Sequence, residues 1–362
     1  MHFMTASCRG ASRAFFDAMP LALVVAVLCV PFAFLLANKA RASDFYNGKT
    51  IEIVVGYPAG NGYDVYTRAL ARHMGRHIPG NPSFIVRNMP GASGLRAANF
   101  LYNVASKDGL MIGSLSRSVP MQQKMRNSSV KFEASKFGWI GTSSSYRNDA
   151  YCLVVTDQSP AKSFDDLRTA SRPILFGASA VSGDSFFDVV QIAREVFKLN
   201  IKLVKGYESP ETILAMERGE IDGRAIGVSS LRQFRPDWAD GNGVRFLLQF
   251  GHKTRWEGLP DVPTGQELAK SKEDLELIKL LELPMLMARP YAAPPGTPPD
   301  RLKILRQAFL AAHHDPAFLA ETKKLQLDIS PLGGDEIEAL LVNVEQIPPS
   351  TVDRYIAALE KP

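Results

Sequence analysis

Short β-branched or apolar runs recur from residue 51 to residue 288, and stretches with helical spacing separate them. The runs are IEIVV, SFIV, LMIGSL, YCLVV, PILFG, IKLV, VRFLLQF and PMLMA. The helical stretches include residues 64–77, 95–103, 185–197 and 210–218. Alternation of this kind predicts an α/β chain with largely parallel sheets. Two further helix starts are marked. Thr264-Gly265-Gln266-Glu267 has capping-box spacing. Thr297-Pro298-Pro299-Asp300 offers a Thr cap, a proline at the first helical position and an early acid, and Leu302, Leu305, Phe309 and Ala312 then recur on one face. RPYAAPPGTPPD reads as a stiff, proline-rich connection. The chain has no tandem repeat and no low-complexity tract.

The first forty-odd residues follow a different pattern. Arg9 and Arg13 form a basic start, residues 21–37 are almost wholly apolar, and Ala40-Arg41-Ala42 has the small-x-small form of a signal-peptidase site. Residues 1–42 therefore read as a secretory signal peptide cleaved after Ala42, which addresses the protein to the periplasm. The competing reading is an uncleaved membrane anchor, because the apolar run is near the spanning limit. Pro20, Pro31 and the A-x-A site favour cleavage. Leu28, before Cys29, is not the small residue a lipoprotein would need.

Cleavage removes four basic residues and one acidic residue, lowering the formal net charge of +5 by three. The basic balance is thus partly a property of the signal, and no dense Lys/Arg stripe with interleaved aromatics points to nucleic acid. Cys8 and Cys29 leave as well, so Cys152 remains alone in an apolar run and no internal disulfide can form. A buried small hydrophobe is the ordinary role of such a cysteine. About 320 residues remain, enough for two lobes with cores of their own.

The first run ends at Gly56 and leads into a glycine-bearing loop, then a helical stretch. Gly60-Asn61-Gly62-Tyr63-Asp64-Val65 lacks the third glycine of a dinucleotide fingerprint, and no Lys-Ser/Thr pair of a P-loop follows. No cofactor is expected. Free N–H groups at a helix start favour an anion; a plain strand-to-helix turn with Asp64 as its N-cap is the equal alternative. A second strand, small-residue loop and helix occur in PILFGASAVSGDSFFDVVQIAREVF, where Ser179, Ser182 and Gly183 supply donors and Asp184 could cap. Two such loops suit two lobes that face one another and each hold one end of a small anionic ligand.

Six stretches in this order resemble the Bug/TctC family, the periplasmic substrate-binding proteins of tripartite tricarboxylate transporters. They are VVGYPAGNGYDVYTRALARHM, VRNMPGASGLRAANFL, KDGLMIG, RGEIDGRAIG, LPDVPTGQEL and APPGTPPDRLKIL, and they span essentially the whole mature chain. The resemblance implies a two-lobed, type II-like periplasmic binding-protein fold with the ligand cleft between the lobes. It implies capture of a carboxylate by backbone groups and bridging waters of the two loops, with membrane transporter subunits as partners and a monomeric binding protein. Carried onto this chain, the first loop is Tyr57, Pro58, Ala59, Gly60, Asn61, Gly62, Tyr63 and Asp64. The second includes Ser179, Ala180, Ser182, Gly183 and Asp184. Asn88, Gly91 and Asp222 match motif positions expected nearby. Asn61, Tyr63, Ala180 and Ser182 stand where the family has glycines or small residues. Asn tolerates left-handed backbone, Tyr63 adds bulk, and Ala180 and Ser182 restrict dihedrals.

Other constellations are weaker. His73 and His77 have i, i+4 spacing without a third metal ligand, and His313-His314 falls at a helix end. No G-x-S-x-G elbow occurs. Arg117, Arg147 and Arg224 could clamp a carboxylate, although each residue is by base rate a surface arginine. The sequence is thus expected to encode a solute-binding protein and no enzyme, with lobe one at 43–146 plus 286–362 and lobe two at 147–285. A receptor that serves a sensor, or an enzyme on the same fold, is the rival reading.

Overall fold

Two β-sheets organise the computed structural model, which describes residues 45–179, 185–207 and 209–361. The proposed signal segment lies outside the described residues, and the unit considered below begins at Tyr46. Strands β1 (Thr50–Val55), β2 (Ser83–Asn88), β3 (Met111–Ser114) and β4 (Gly138–Thr142) come first. Strands β5 (Tyr151–Thr156), β6 (Ile174–Ala178), β7 (Ile201–Lys205), β8 (Gly223–Gly227) and β9 (Val244–Phe250) follow. Strands β10 (Pro290–Ala293) and β11 (Leu332–Gly333) complete the set. The six-stranded sheet has the order β11-β4-β10-β3-β1-β2, and the five-stranded sheet the order β7-β6-β8-β5-β9.

The principal helices are α1 (Gly62–Met74), α2 (Leu95–Asn103), α3 (Ser185–Phe197), α4 (Ser209–Glu217) and α5 (Val228–Phe234). Later come α6 (Lys272–Glu282), α7 (Pro299–His313), α8 (Pro316–Lys324), α9 (Gly334–Glu345) and α10 (Pro349–Glu360). The helical spacing read from sequence corresponds to α1, α2, α3 and α4. The Thr264 capping box is formed: its hydroxyl accepts from Glu267 N at 2.9 Å and Glu267 accepts from Thr264 N at 3.4 Å. Thr297 does not cap α7. Pro298 holds that position, and the Thr297 hydroxyl donates to Pro294 O at 2.8 Å.

The parallel expectation holds for β2-β1-β3 and for β7-β6-β8. It fails at β5 and β10, which run antiparallel to both neighbours. Each is the first strand after the chain crosses from one sheet to the other, so it enters from the opposite end. The run PMLMA is a 3₁₀ turn (Leu283–Met287) rather than a strand; Pro284 sits at its start. The crossings are tied together where they pass. Ser143 N donates to Arg289 O at 3.1 Å, and Arg289 N donates to Thr142 Oγ1 at 3.0 Å.

Helix α10 crosses a third time. It packs on α3 and α6 and adds Tyr355, Ala358 and Leu359 to the apolar core of the five-stranded sheet. Gln191 of α3 donates to Ala358 O at 2.9 Å and Lys361 O at 2.8 Å. Cys152 is fully buried in β5, as a small hydrophobe would be.

Candidate ligand cleft

The first loop is closed by its own groups. Gly60 N donates to Asp64 Oδ2 (2.9 Å), Asn61 N to Pro58 O (3.2 Å) and Tyr63 N to Asn61 Oδ1 (3.0 Å). Asn61 is therefore the N-cap of α1, and Asp64 is a first-turn residue rather than the cap. The Asp64 carboxylate is buried and fully engaged: Arg68 Nε donates to it at 2.9 and 3.0 Å, and Asn88 Nδ2 at 2.8 Å. Burial alone would raise the Asp64 carboxyl, but the bonds from Arg68, Gly60 and Asn88 outweigh it and hold it below the ordinary carboxylate range. Asn88 also donates to Tyr57 O at 3.0 Å. These contacts fix the shape of the loop and leave little of its backbone to offer a ligand. Gly62, first residue of α1, is the exception, because its N–H has no intrahelical acceptor.

A cavity lies between this loop and the five-stranded sheet, lined by Tyr57, Asn61, Gly62, Tyr63, Ser179 and groups the loops do not supply. It has about 90 Å³ of free space for the centres of water molecules. One water needs roughly 10–15 Å³ by that measure, so the cavity suits a small organic molecule. Its walls carry three arginines, Arg117, Arg224 and Arg289, all at most 7% exposed. Each guanidinium lies over an aromatic ring: Arg117 over Tyr151 (4.8 Å), Arg224 over Phe186 (4.5 Å) and Arg289 over Tyr63 (4.8 Å).

Arg117 and Arg289 bond to neutral partners. Arg117 Nε donates to Ser185 Oγ at 2.8 Å and its Nη1 to Tyr146 OH at 3.3 Å. Arg289 Nη2 donates to Ser230 Oγ at 3.1 Å and its Nη1 to Ala288 O at 2.9 Å. Arg224 bonds Thr212 Oγ1. Among the described residues, Arg117 and Arg289 have no carboxylate within ion-pair distance. The Nε of Arg289 and the Nε2 of Gln233, on the same cavity wall, are buried without a hydrogen-bond partner among the described residues. Both are donors, so what they await is an acceptor. Gly227 is also required here: a Cβ would come within 2.5 Å of the Tyr146 hydroxyl.

No family model matches the chain. It is 24% identical over 304 residues to a curated Cupriavidus necator protein, described as a UPF0065 protein in the gbd 5' region, covering 81% of this chain and 84% of that one. Among solved structures it is similar to the periplasmic binding protein BugD, with a TM-score of 0.66 and 18% identity over 86% of this chain and 98% of BugD. It is also similar to MatC from Rhodopseudomonas palustris, solved with bound malate, with a TM-score of 0.59 and 18% identity over 86% of this chain and 99% of MatC. The chain is thus similar to Bug/TctC-type binding proteins. Its fold is the periplasmic binding-protein fold of those relatives.

Set against the Bug/TctC motifs, the residues divide as follows. Tyr57, Asn61, Gly62, Tyr63 and Ser179 come together on the cavity. Pro58, Ala59 and Gly60 are exposed on the loop's outer side, and Asp64 and Asn88 stand behind it as its brace. Gly91 is exposed and away from the cavity, in a left-handed turn before α2. Asp222 is also elsewhere. Its carboxylate is taken by Arg172 at 2.7 Å and by Leu175 N at 2.8 Å, a brace between β6 and the approach to β8. Ala180, Ser182, Gly183 and Asp184 lie outside the described residues.

Of the three candidate clamp arginines, Arg147 is exposed and 3.9 Å from Glu336, whereas Arg117 and Arg224 face the cavity. Arg289 has no counterpart among the sequence candidates. It opens the proline-rich run RPYAAPP, and only the crossing of the chain at β10 brings it to the cleft. His73 and His77 bond Glu321 (2.6 Å) and Asp315 (2.9 Å) and fasten α1 to α8. His313 is buried against Ser143 Oγ at 2.8 Å, and burial pushes its imidazole down to about 4. Among the described residues no metal-binding cluster forms, and no helix is long and apolar enough to cross a membrane.

Proposed function

We propose that the chain is an exported solute-binding protein that captures a small organic carboxylate between two lobes and delivers it to a tripartite tricarboxylate-type membrane transporter. The observation that carries this reading is the burial of Arg117 and Arg289 on one cavity without a carboxylate partner among the described residues. A guanidinium cannot shed its charge in a protein. A buried charge is strongly destabilising when unpaired, so the missing negative charge belongs to the ligand. The malate held by MatC is a ligand of this chemistry.

In this reading the first lobe is 43–146 plus 286–348, the second is 147–285, and α10 straps the second. The protein acts as a monomer, and the lobes close on the ligand by a hinge at the two tied crossings. Asn61, Gly62, Tyr63, Ser179 and the arginines form the site. The mature N-terminus is Ser43, which N-terminal sequencing of the exported protein would show. A receptor for a sensor would use the same cleft, and neighbouring genes for membrane subunits would favour the transporter. Binding without turnover is expected, in keeping with the likeness to the periplasmic binding protein BugD.

The test is mass spectrometry of material released by denaturing the purified protein, followed by a thermal-shift screen of mono-, di- and tricarboxylates. A true ligand at a hundred times its Kd should stabilise the fold by about 2.7 kcal/mol. Release of a neutral or cationic compound, with no carboxylate raising the melting temperature, would defeat the proposal.

A further inference from the structure

Two guanidiniums impose a stricter condition than one. We propose that the cleft requires a ligand with two separated negative charges, each held directly by a guanidinium: one by Arg289 beside the start of α1, the other by Arg117 beside the start of α3. This rests on the carboxylate-binding reading above. It departs from capture by loop backbone and bridging water, which the family resemblance alone would imply.

The two positions are distinct. The Arg289 guanidinium lies against the first residue of α1; a Cβ on Gly62 would be 3.2 Å from its Nη2. Arg117 Nε donates to Ser185, the first residue of α3. Tyr63 stands between them, with its ring under Arg289 and its hydroxyl accepting from Arg117 N at 3.1 Å. Each site therefore joins a guanidinium to a helix start, where the exposed N–H groups favour an anion. The independent sign of a ligand is the Nε of Arg289, buried without a partner among the described residues.

Each guanidinium is also packed against two tyrosine rings. The Arg289 guanidinium lies over the rings of Tyr63 (4.8 Å) and Tyr66 (5.1 Å), and that of Arg117 over Tyr151 (4.8 Å) and Tyr146 (5.7 Å). A ring contact of this kind holds a guanidinium in place without using its N–H groups, whose fork matches a carboxylate. Both arginines come from the six-stranded-sheet side, and each reaches a serine on a helix of the other sheet. Closing the cleft thus brings two positive charges against neutral hydroxyls. A dianion offsets both, whereas a monoanion leaves one buried charge unpaired.

The experiment is calorimetric titration of the exported protein, stripped of ligand by reversible unfolding, with a matched panel. The panel holds malate, the straight-chain diacids from malonate to adipate, the half-amide of each, and short monocarboxylates. At least one diacid is expected to bind about a hundredfold more tightly than its half-amide, the ratio expected when one buried charge loses its partner. Arg117→Gln and Arg289→Gln should each shrink that ratio to within about threefold by weakening the diacid alone. Arg117→Lys and Arg289→Lys, which keep the charge, should retain part of it. A half-amide or monocarboxylate that binds as tightly as any diacid overturns the two-charge requirement and leaves the carboxylate reading standing. If no acid of the panel binds, both fall. Should a glutamine variant fail to fold, the diacid to half-amide ratio of the parent protein still decides.

Discussion

Gly60 and Gly62 are two residues apart in one loop, yet the structure gives them opposite consequences. A Cβ at Gly62 would meet Arg289 Nη2 at 3.2 Å, whereas a Cβ at Gly60 would meet nothing within 4 Å and would sit at a φ of +78°. Gly62→Asp places a carboxylate beside a buried guanidinium that has no acidic partner among the described residues. The new side chain should take the ligand's place. A hydrogen bond to a charged group contributes about 1.5–3 kcal/mol, so losing Arg289 to an internal competitor should weaken binding about a hundredfold, or about 2.8 kcal/mol. The same pairing should raise the melting temperature of the unliganded protein. Gly60→Asp should behave in reverse. Its side chain points away from the cavity, so affinity should stay within about threefold. The left-handed backbone should destabilise the fold by roughly 1–2 kcal/mol. Calorimetric titration with the acid released from the purified protein, alongside thermal melts of both unliganded variants, makes the comparison. If Gly60→Asp weakens binding as much as Gly62→Asp, the loop backbone itself holds the anion and the site centred on Arg289 is wrong.

Two pH predictions follow from buried carboxyls near the cleft and its crossings. Asp149, held by Ser229 Oγ at 2.5 Å and by the N–H groups of Ser229 and Ala150, is pushed up to about 7 by burial. Between the unfolded value of about 4 and that value the folded chain holds the extra proton, so stability should fall as pH rises through this window. Asp149→Asn should remove this part of the slope; urea unfolding of both proteins at pH 5 and pH 7.5 measures it, and equal slopes would count against the assignment. Asp64 has the opposite sign, since its folded value is depressed. Its contribution is present above about pH 4 and lost as pH falls further, so Asp64→Asn should be less stable near neutrality and should lose less on acidification. A variant as stable as the parent at pH 7 would show that the brace on the loop is idle.

The elements were legible because their signals are local. β-Branched runs and helical spacing act over a few residues, and they correspond to β1, β5, α1, α2 and α3 in the structure; the Thr264 capping box, equally local, also forms. The short strands β4, β10 and β11 were not read. Gly138 and Gly141 in β4, the four-residue PYAA of β10 and the two residues of β11 carry little period of their own, and they are strands because a neighbouring strand holds them. The first loop was found by the same local reasoning, and its Tyr57, Asn61, Gly62 and Tyr63 line a cavity; Ala180 to Asp184 of the second lie outside the described residues. What the first loop does was not. Sequence offers its N–H groups to a ligand, but Asp64, Asn61 and Pro58 accept them first, and Arg68 and Asn88 keep Asp64 in that role. A hydrogen-bond donor can be counted from sequence, but whether it is spent depends on what folds against it. The same holds for the arginines. Arg117, Arg147 and Arg224 are alike as letters. Arg147 ends exposed at the surface, while Arg117 and Arg224 are joined at one cavity by Arg289, more than sixty residues from either in the sequence. Burial, and with it the demand for a counter-charge, is a property of position among both sheets. Only the path of the chain between them sets that position.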